Sequence, residues 1–129
     1  MSRSSASNEQ VNDNNFRDLL VWQKARALAT RVYKISRAFP RDEIFGLTAQ
    51  MRKAALSIVF NIAEGKGRYT RAAYRSFLVI ARGSAFELDA QFVIASDLEY
   101  LEQSTAEKLC EETSEISRML SAMIRKLGP

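Results

Sequence analysis

Five cations stand close together in one window of the sequence: Lys66, Arg68, Arg71, Arg75 and Arg82, with no acidic residue between Glu64 and Glu87. Cationic side chains gathered in this way attract phosphate, and each contact to a polyanion releases condensed counterions. Arg71, Arg75 and Arg82 step by four and seven, which puts them within about 40° of one another on an α-helix. Tyr69 and Tyr74 flank the arginines and offer rings on which bases can stack. The chemistry suited to these residue types is recognition of a nucleic acid through a phosphate-binding ridge. The same residues admit a second reading. They form a solvated face, or salt bridges to Glu107, Glu111, Glu112 and Glu115, because charge runs commonly serve solvation.

Other chemistries lack their residues. The chain has no histidine and a single cysteine, Cys110. That removes disulfides, zinc sites of the Cys/His kind and every Ser–His or Cys–His catalytic pair. A carboxylate-metal helical bundle needs Glu-x-x-His pairs facing inward, so neither a metal nor another cofactor is expected. Asn61 and Glu64 are the polar residues of an otherwise apolar helix end. Glu64 beside Arg68 or Arg82 would be the only catalytic pairing available. The structural alternative is favoured: Asn61 bonds a neighbouring backbone or subunit, and Glu64 holds the basic corner in place, since unpaired buried polar groups cost about 1–3 kcal/mol. Cys110 is expected to be a small buried or half-buried filler. Lys24, Arg26, Arg31, Lys34, Arg37 and Arg41 leave Leu19 to Arg41 without an acid, but their helical angles scatter and define no single ridge.

Helices must position these groups. Asp18 is expected to cap a first helix whose apolar positions Val21, Ala25, Leu28, Val32, Ile35 and Phe39 step by four and three, the stripe of a packed helix. Trp22 and Tyr33 widen it, as core or subunit-interface residues, and Pro40 ends it. A second stripe runs Leu47, Met51, Ala54, Ile58 and Ile62, with small Ala55 beside it. That helix is expected to end near Glu64 and turn through Gly65 and Gly67 in a left-handed conformation. A third helix is expected from about Thr70 to Tyr100, with a seam of Phe77, Ala81, Ser84, Leu88, Gln91, Ala95 and Leu98. Gly83 inside it hints at close backbone approach. Ser104-Thr105-Ala106-Glu107 has the spacing of a capping box, from which Leu109, Ile116, Leu120, Met123 and Leu127 begin and fill a fourth helix. The architecture implied is all-α, an up-down-up-down four-helix bundle over residues 16–129. Residues 1–15, rich in Ser and Asn, read as a disordered tail.

A formal charge of +4 and a pI near 9.5 favour anionic partners weakly. No continuous apolar run acts as a signal peptide or membrane span, so a cytoplasmic location and no membrane partner are expected.

Ordered matches along the chain carry a resemblance. They are Leu20-Val21-Trp22-Gln23-Lys24-Ala25, Phe39-Pro40, Phe45-Gly46-Leu47-Thr48, Arg52-Lys53-Ala54-Ala55, Asn61-Ile62-Ala63-Glu64-Gly65, Gly67-Arg68, Ile80-Ala81-Arg82-Gly83-Ser84 and Glu87-Leu88. From Phe16 to Leu127 the chain resembles the four-helix-bundle proteins encoded in intervening sequences of bacterial 23S ribosomal RNA genes. It is also similar to the accessory variability proteins of diversity-generating retroelements. Where the family pattern often has two arginines this chain has Arg52 and Lys53, and where it often has a Glu at the start of the third helix this chain has Ala72 and Ala73. The resemblance implies a ring-shaped homopentamer with a positive surface, a link to nucleic acid, either RNA or the nucleoprotein of a reverse transcriptase, and no enzymatic activity; the residues themselves do not separate RNA from DNA as the partner. A ring that docks an acidic protein, with no nucleic-acid affinity of its own, is the alternative.

Overall fold

The computed structural model describes residues 15–128. The expected tail therefore lies, except for Asn15, outside the described residues. Four long helices follow one another: α1 (Leu20–Ser36), α2 (Leu47–Lys66), α3 (Arg71–Asp97) and α4 (Gln103–Leu127). They run up, down, up and down. Each helix packs against its two neighbours, α1 closes the square on α4, and no strand occurs among the described residues.

The stripes legible in the sequence form most of the core; on α3 the buried line includes Leu78 and Phe92, one residue beyond Phe77 and Gln91 of the expected seam, which are only half-buried. Leu28 and Val32 of α1, Met51, Ile58 and Ile62 of α2, Leu78, Leu88 and Phe92 of α3, and Leu109, Ile116 and Leu120 of α4 are at most 1% exposed. Truncating one of these leucines to alanine typically costs about 2–5 kcal/mol, because the lost transfer energy is compounded by the cavity left behind. The outer positions of the expected α3 seam differ: Leu98 is 48% exposed, since α3 stops at Asp97 and the chain turns away there.

The helix ends are built differently from the sequence expectation. Asp18 does not cap α1. It closes a short 3₁₀ turn, Phe16–Asp18, which Asn15 caps by accepting from the Arg17 amide at 3.0 Å, and Leu19 is the uncapped N-cap of α1. Phe16 packs edge-on against Trp22, with ring centroids 4.9 Å apart, and covers that end of the bundle. The C-terminus of α1 is satisfied from α2: Arg52 donates to Ser36 Oγ at 2.9 Å and to the Tyr33 carbonyl at 3.4 Å. Pro40 lies beyond that end and starts a second 3₁₀ turn, Arg41–Glu43.

α2 begins at Gly46 without a side-chain cap of its own, and Glu43 supplies one by accepting from the Leu47 amide at 3.0 Å. Tyr100, from the α3–α4 connection, donates to the other Glu43 oxygen at 2.9 Å, and the two connections are locked together. The Leu47 amide first, and Tyr100 second, hold the Glu43 carboxyl below its ordinary pKa. The capping box expected at Ser104 is absent; the N-cap lies two residues earlier, at Glu102, which is extended, and α4 starts at Gln103.

Candidate nucleic-acid interface

α2 runs on to Lys66, and its exit is right-handed: Gly67 has φ −81°. The expected left-handed glycine is not used there. Gly65 is required for a different reason. A Cβ on it would stand 2.8 Å from Phe77 Cβ, 3.1 Å from Tyr74 Cδ1 and 3.2 Å from the Tyr74 carbonyl, so α2 and α3 touch backbone to side chain at this point. Thr70 then starts α3 and accepts from the Ala73 amide at 3.1 Å. A cap on one side and a close contact on the other fix the direction in which α3 carries its arginines.

Two of the three α3 arginines reach α4. Arg71 donates to the Lys126 carbonyl at 2.6 Å, one of the acceptors that a helix C-terminus leaves open. Arg82 donates to Ser121 Oγ at 3.2 Å. Arg75 lies between them, half-buried, with a buried Nε–H that has no acceptor among the described residues. None of the three pairs with a carboxylate among the described residues. Of the α4 acids that might have neutralised them, Glu112 and Glu115 turn toward α1, where Glu112 pairs with Arg31 and Glu115 with Lys24 at 3.2 Å. Glu107 and Glu111 line the seam farther along, away from these arginines. Neutral oxygens orient the α3 row but leave its positive charge uncancelled.

The turn contributes unevenly. Arg68 pairs with Glu64 one helical turn earlier at 2.7 Å and lies over the Phe77 ring, 4.8 Å from its centroid. Its charge is matched locally, and Glu64 holds this arginine. Lys66 Nζ stands 6.0 Å from the Tyr74 ring centroid, and burial pushes the Tyr74 phenol up from its ordinary pKa. Tyr69 is fully exposed, with its ring free on both faces. Arg125 and Lys126, in the last turn of α4, complete the basic end alongside Arg71. In sequence these two cations only complement the dipole of a last helical turn, with nothing in their spacing to join them to the α3 row. Up-down-up-down topology was the signal that brings the end of α4 beside the start of α3.

The remaining singled-out residues are structural in their placement. Asn61 donates to the Ser57 carbonyl at 2.8 Å and approaches Ser57 Oγ at 3.1 Å, while Ser57 and Ser84 share a hydroxyl contact of 2.7 Å that ties α2 to α3. Trp22 is buried, 8% exposed. A Cβ on Gly83 would meet nothing within 4 Å, so the expected close approach does not occur among the described residues. Cys110 is half-buried and faces Asp89; burial first, then Asp89, pushes its thiol up to about 12.

Further along the α3–α4 seam the sign of the charge reverses. Asp89, Asp97, Glu99, Glu102, Glu107 and Glu111 line a groove of about 1210 Å³ there. Among the described residues no three His, Cys, Asp or Glu side chains gather closely enough to hold a metal ion. No helix among the described residues is long and apolar enough to cross a membrane.

The sequence model of the family described as 23S rRNA-intervening sequence protein matches residues 17–122 of this chain. A solved structure, a protein of unknown function from the S23 ribosomal protein family of Bacteroides thetaiotaomicron, superposes with a TM-score of 0.76 at 23% identity. That alignment covers 82% of this chain and 96% of the other. At such identity the likeness concerns the fold. No curated protein matches.

Proposed function

This chain belongs to the family of 23S rRNA-intervening sequence proteins, and on that premise we propose that it is a non-catalytic, homo-oligomeric scaffold of the cytoplasm. It binds nucleic acid, or a ribonucleoprotein such as that of a reverse transcriptase, through the basic end formed by Lys66, Arg68, Arg71, Arg75 and Arg82. One observation carries this reading. Arg71, Arg75 and Arg82 share a face, Arg71 and Arg82 are held by neutral acceptors, and no carboxylate among the described residues pairs with any of the three, Glu112 and Glu115 of α4 being paired with α1. A fixed row of uncancelled guanidiniums beside an exposed tyrosine suits a phosphate backbone with an unstacked base. Arg68, paired with Glu64, contributes less than the others.

Self-association is supported by α3, whose outward face is apolar: Phe86 is 59% exposed, Val93 50% and Ile94 48%. A ring of five copies is the assembly implied by the family resemblance.

The test is fluorescence anisotropy of a labelled structured RNA and a matched DNA duplex, titrated across a salt series. Binding that weakens linearly in log–log form is expected, with a slope that counts phosphate contacts. Absence of binding even at low salt would sink this reading and leave the basic end for an acidic protein.

A further inference from the structure

The outward side of α2 ends in a line of residues at steps of three and four: Phe60, Ala63, Glu64 and Gly67, which Arg68 continues past the helix end. These five line an open pocket of about 520 Å³, inside the range of about 300–1,000 Å³ usual for small-ligand sites. Phe60 is 60% exposed and takes no part in the core. No other ring and no cation covers its face among the described residues.

Gly67 gives this pocket its depth. Its backbone, at φ −81° and ψ −2°, is one that any residue adopts in a turn. A Cβ there would meet nothing nearer than the Glu64 carbonyl at 3.6 Å, an ordinary contact. Neither conformation nor packing among the described residues calls for glycine at this position. What the missing side chain provides is open space between Phe60 and Arg68, above the small Ala63.

The polar wall is a pair of opposite charges. Glu64 is the only acid on α2, and it stands in the end of the bundle that gathers cations. An acid there weakens attraction for phosphate, and its pairing with Arg68, about half in solvent, contributes only about 0–1 kcal/mol to stability. Arg68 Nη2 donates to Glu64 Oε2 at 2.7 Å, while Oε1 accepts nothing among the described residues. A carboxylate has about four lone-pair sites, so this one keeps room for two more donors, with further guanidinium N–H groups alongside for an acceptor. Two acceptors and a donor side by side, next to an exposed ring, suit a flat heterocycle with two donors beside one acceptor. Among the RNA bases guanine alone has that edge, with N1–H and N2–H beside O6. Adenine and cytosine offer one amino group, and uracil one imino group between two carbonyls. Unpaired RNA bases are read in this manner, stacked on a ring and bonded along their Watson–Crick edge.

We propose that this pocket is a site for one unpaired guanine of a single-stranded RNA. The base stacks on Phe60, donates N1–H and N2–H to Glu64 and accepts at O6 from Arg68, in the space that Gly67 leaves. The inference rests on the nucleic-acid reading above and names the base that is selected. Arg71, Arg75 and Arg82 hold phosphates of any sequence, and the end of α2 reads one base. The other charged groups near this end of α2 are exposed Lys53, two turns before Phe60, and Lys66, toward Tyr74; both are cationic and favour the phosphates that flank the base. Tyr69, fully exposed next to Arg68, offers its ring to a neighbouring base.

The test is anisotropy of the full chain with short labelled oligouridines that differ at one central base. The oligomer with a central guanosine should bind at least about tenfold more tightly than those with adenosine, cytidine or uridine there. Phe60→Ala should weaken the guanosine complex about tenfold, and Gly67→Leu, which fills the pocket without touching its charge, by a similar factor. Glu64→Gln should bring the four oligomers within about threefold of one another. An RNA duplex, which offers phosphates and no unpaired base, should bind Phe60→Ala and Gly67→Leu within about threefold of the unaltered chain, which also shows both variants folded. Equal binding of the four oligomers by the unaltered chain, or a guanosine preference that survives in Phe60→Ala and Gly67→Leu, would overturn the guanine site while duplex binding left the arginine row standing. A changed assembly mass of Phe60→Ala in light scattering would assign the ring to a subunit contact and overturn it as well. If neither duplex nor oligomer binds even at low salt, the nucleic-acid reading fails and the guanine site fails with it.

Discussion

On the α1 side of α4, Lys24 and Arg31 end on Glu115 and Glu112; on the α3 side, Arg71 and Arg82 end on a backbone carbonyl and a hydroxyl. Both sides hold long cationic chains in fixed positions. The first side cancels their charge and the second retains it. Carboxylate pairing half in solvent contributes little to stability, about 0–1 kcal/mol, so its main effect on α1 is to remove attraction for anions. Hydrogen bonds to neutral oxygens on α3 set direction without removing it. The position of the basic face therefore follows from where the acids of α4 point, and much less from where the arginines are.

The widest gap between the two sides should open when charge is reversed. Arg71→Glu/Arg75→Glu/Arg82→Glu is expected to lower RNA affinity by at least about a hundredfold at low salt, while Lys24→Gln/Arg31→Gln changes it by less than about threefold. Anisotropy titrations of the two variants, with circular dichroism as the control for folding, decide this. Equal losses would mean that α1 and α3 share the anion surface.

Cys110 sharpens the contrast within the α3–α4 seam, where the arginine row gives way to acids. With its thiol pushed up to about 12, thiolate is scarce in the folded protein, and iodoacetamide at pH 8 should label it at least about a hundredfold more slowly than in denaturant. The sign for stability follows. The folded state keeps this proton above the pH at which the unfolded chain loses it, so the contribution is whole below about pH 9 and declines as pH rises toward 12. Equal labelling rates in both states would show that the acidic half of the seam is open to solvent.

Smaller effects separate the sides by stability and by salt. Arg31→Gln should cost about 0.5–1 kcal/mol in urea unfolding, because Glu112 loses its partner. Glu112→Gln should cost a similar amount and, by removing an acid, leave RNA binding intact. Arg71→Gln should leave stability within about 0.5 kcal/mol and reduce the slope of log affinity against log salt by about one.

The bundle was legible because burial of one face at steps of three and four is a local pattern. Val21, Ala25, Leu28 and Val32 show it on α1 before any neighbour is known. Helix ends were less so. Asp18 and Ser104 carry good capping side chains, yet the chain starts its helices at Leu20 and Gln103, and the α2 cap comes from Glu43, four residues upstream and braced by Tyr100. The two helical glycines, Gly65 at the end of α2 and Gly83 inside α3, teach the same lesson. Gly65 meets another helix and Gly83 meets nothing within the chain, a difference that lies in the neighbours and has no trace in either residue's flanking sequence. For the candidate site, the shared face of Arg71, Arg75 and Arg82 was readable from spacing. Which oxygens they reach was not, because that depends on how α1 and α3 divide the side chains of α4.

Gly65 carries a mechanical consequence. The contact between its α-carbon and the Phe77 β-carbon is a fulcrum near one end of α3, a helix of 27 residues or about 40 Å. A methyl group there must lift α3 off α2, and a small tilt at a fulcrum grows with distance along a rigid rod. The arginine row lies close to it and the apolar outward face farther out, so one added carbon would shift both surfaces together, the distant one more.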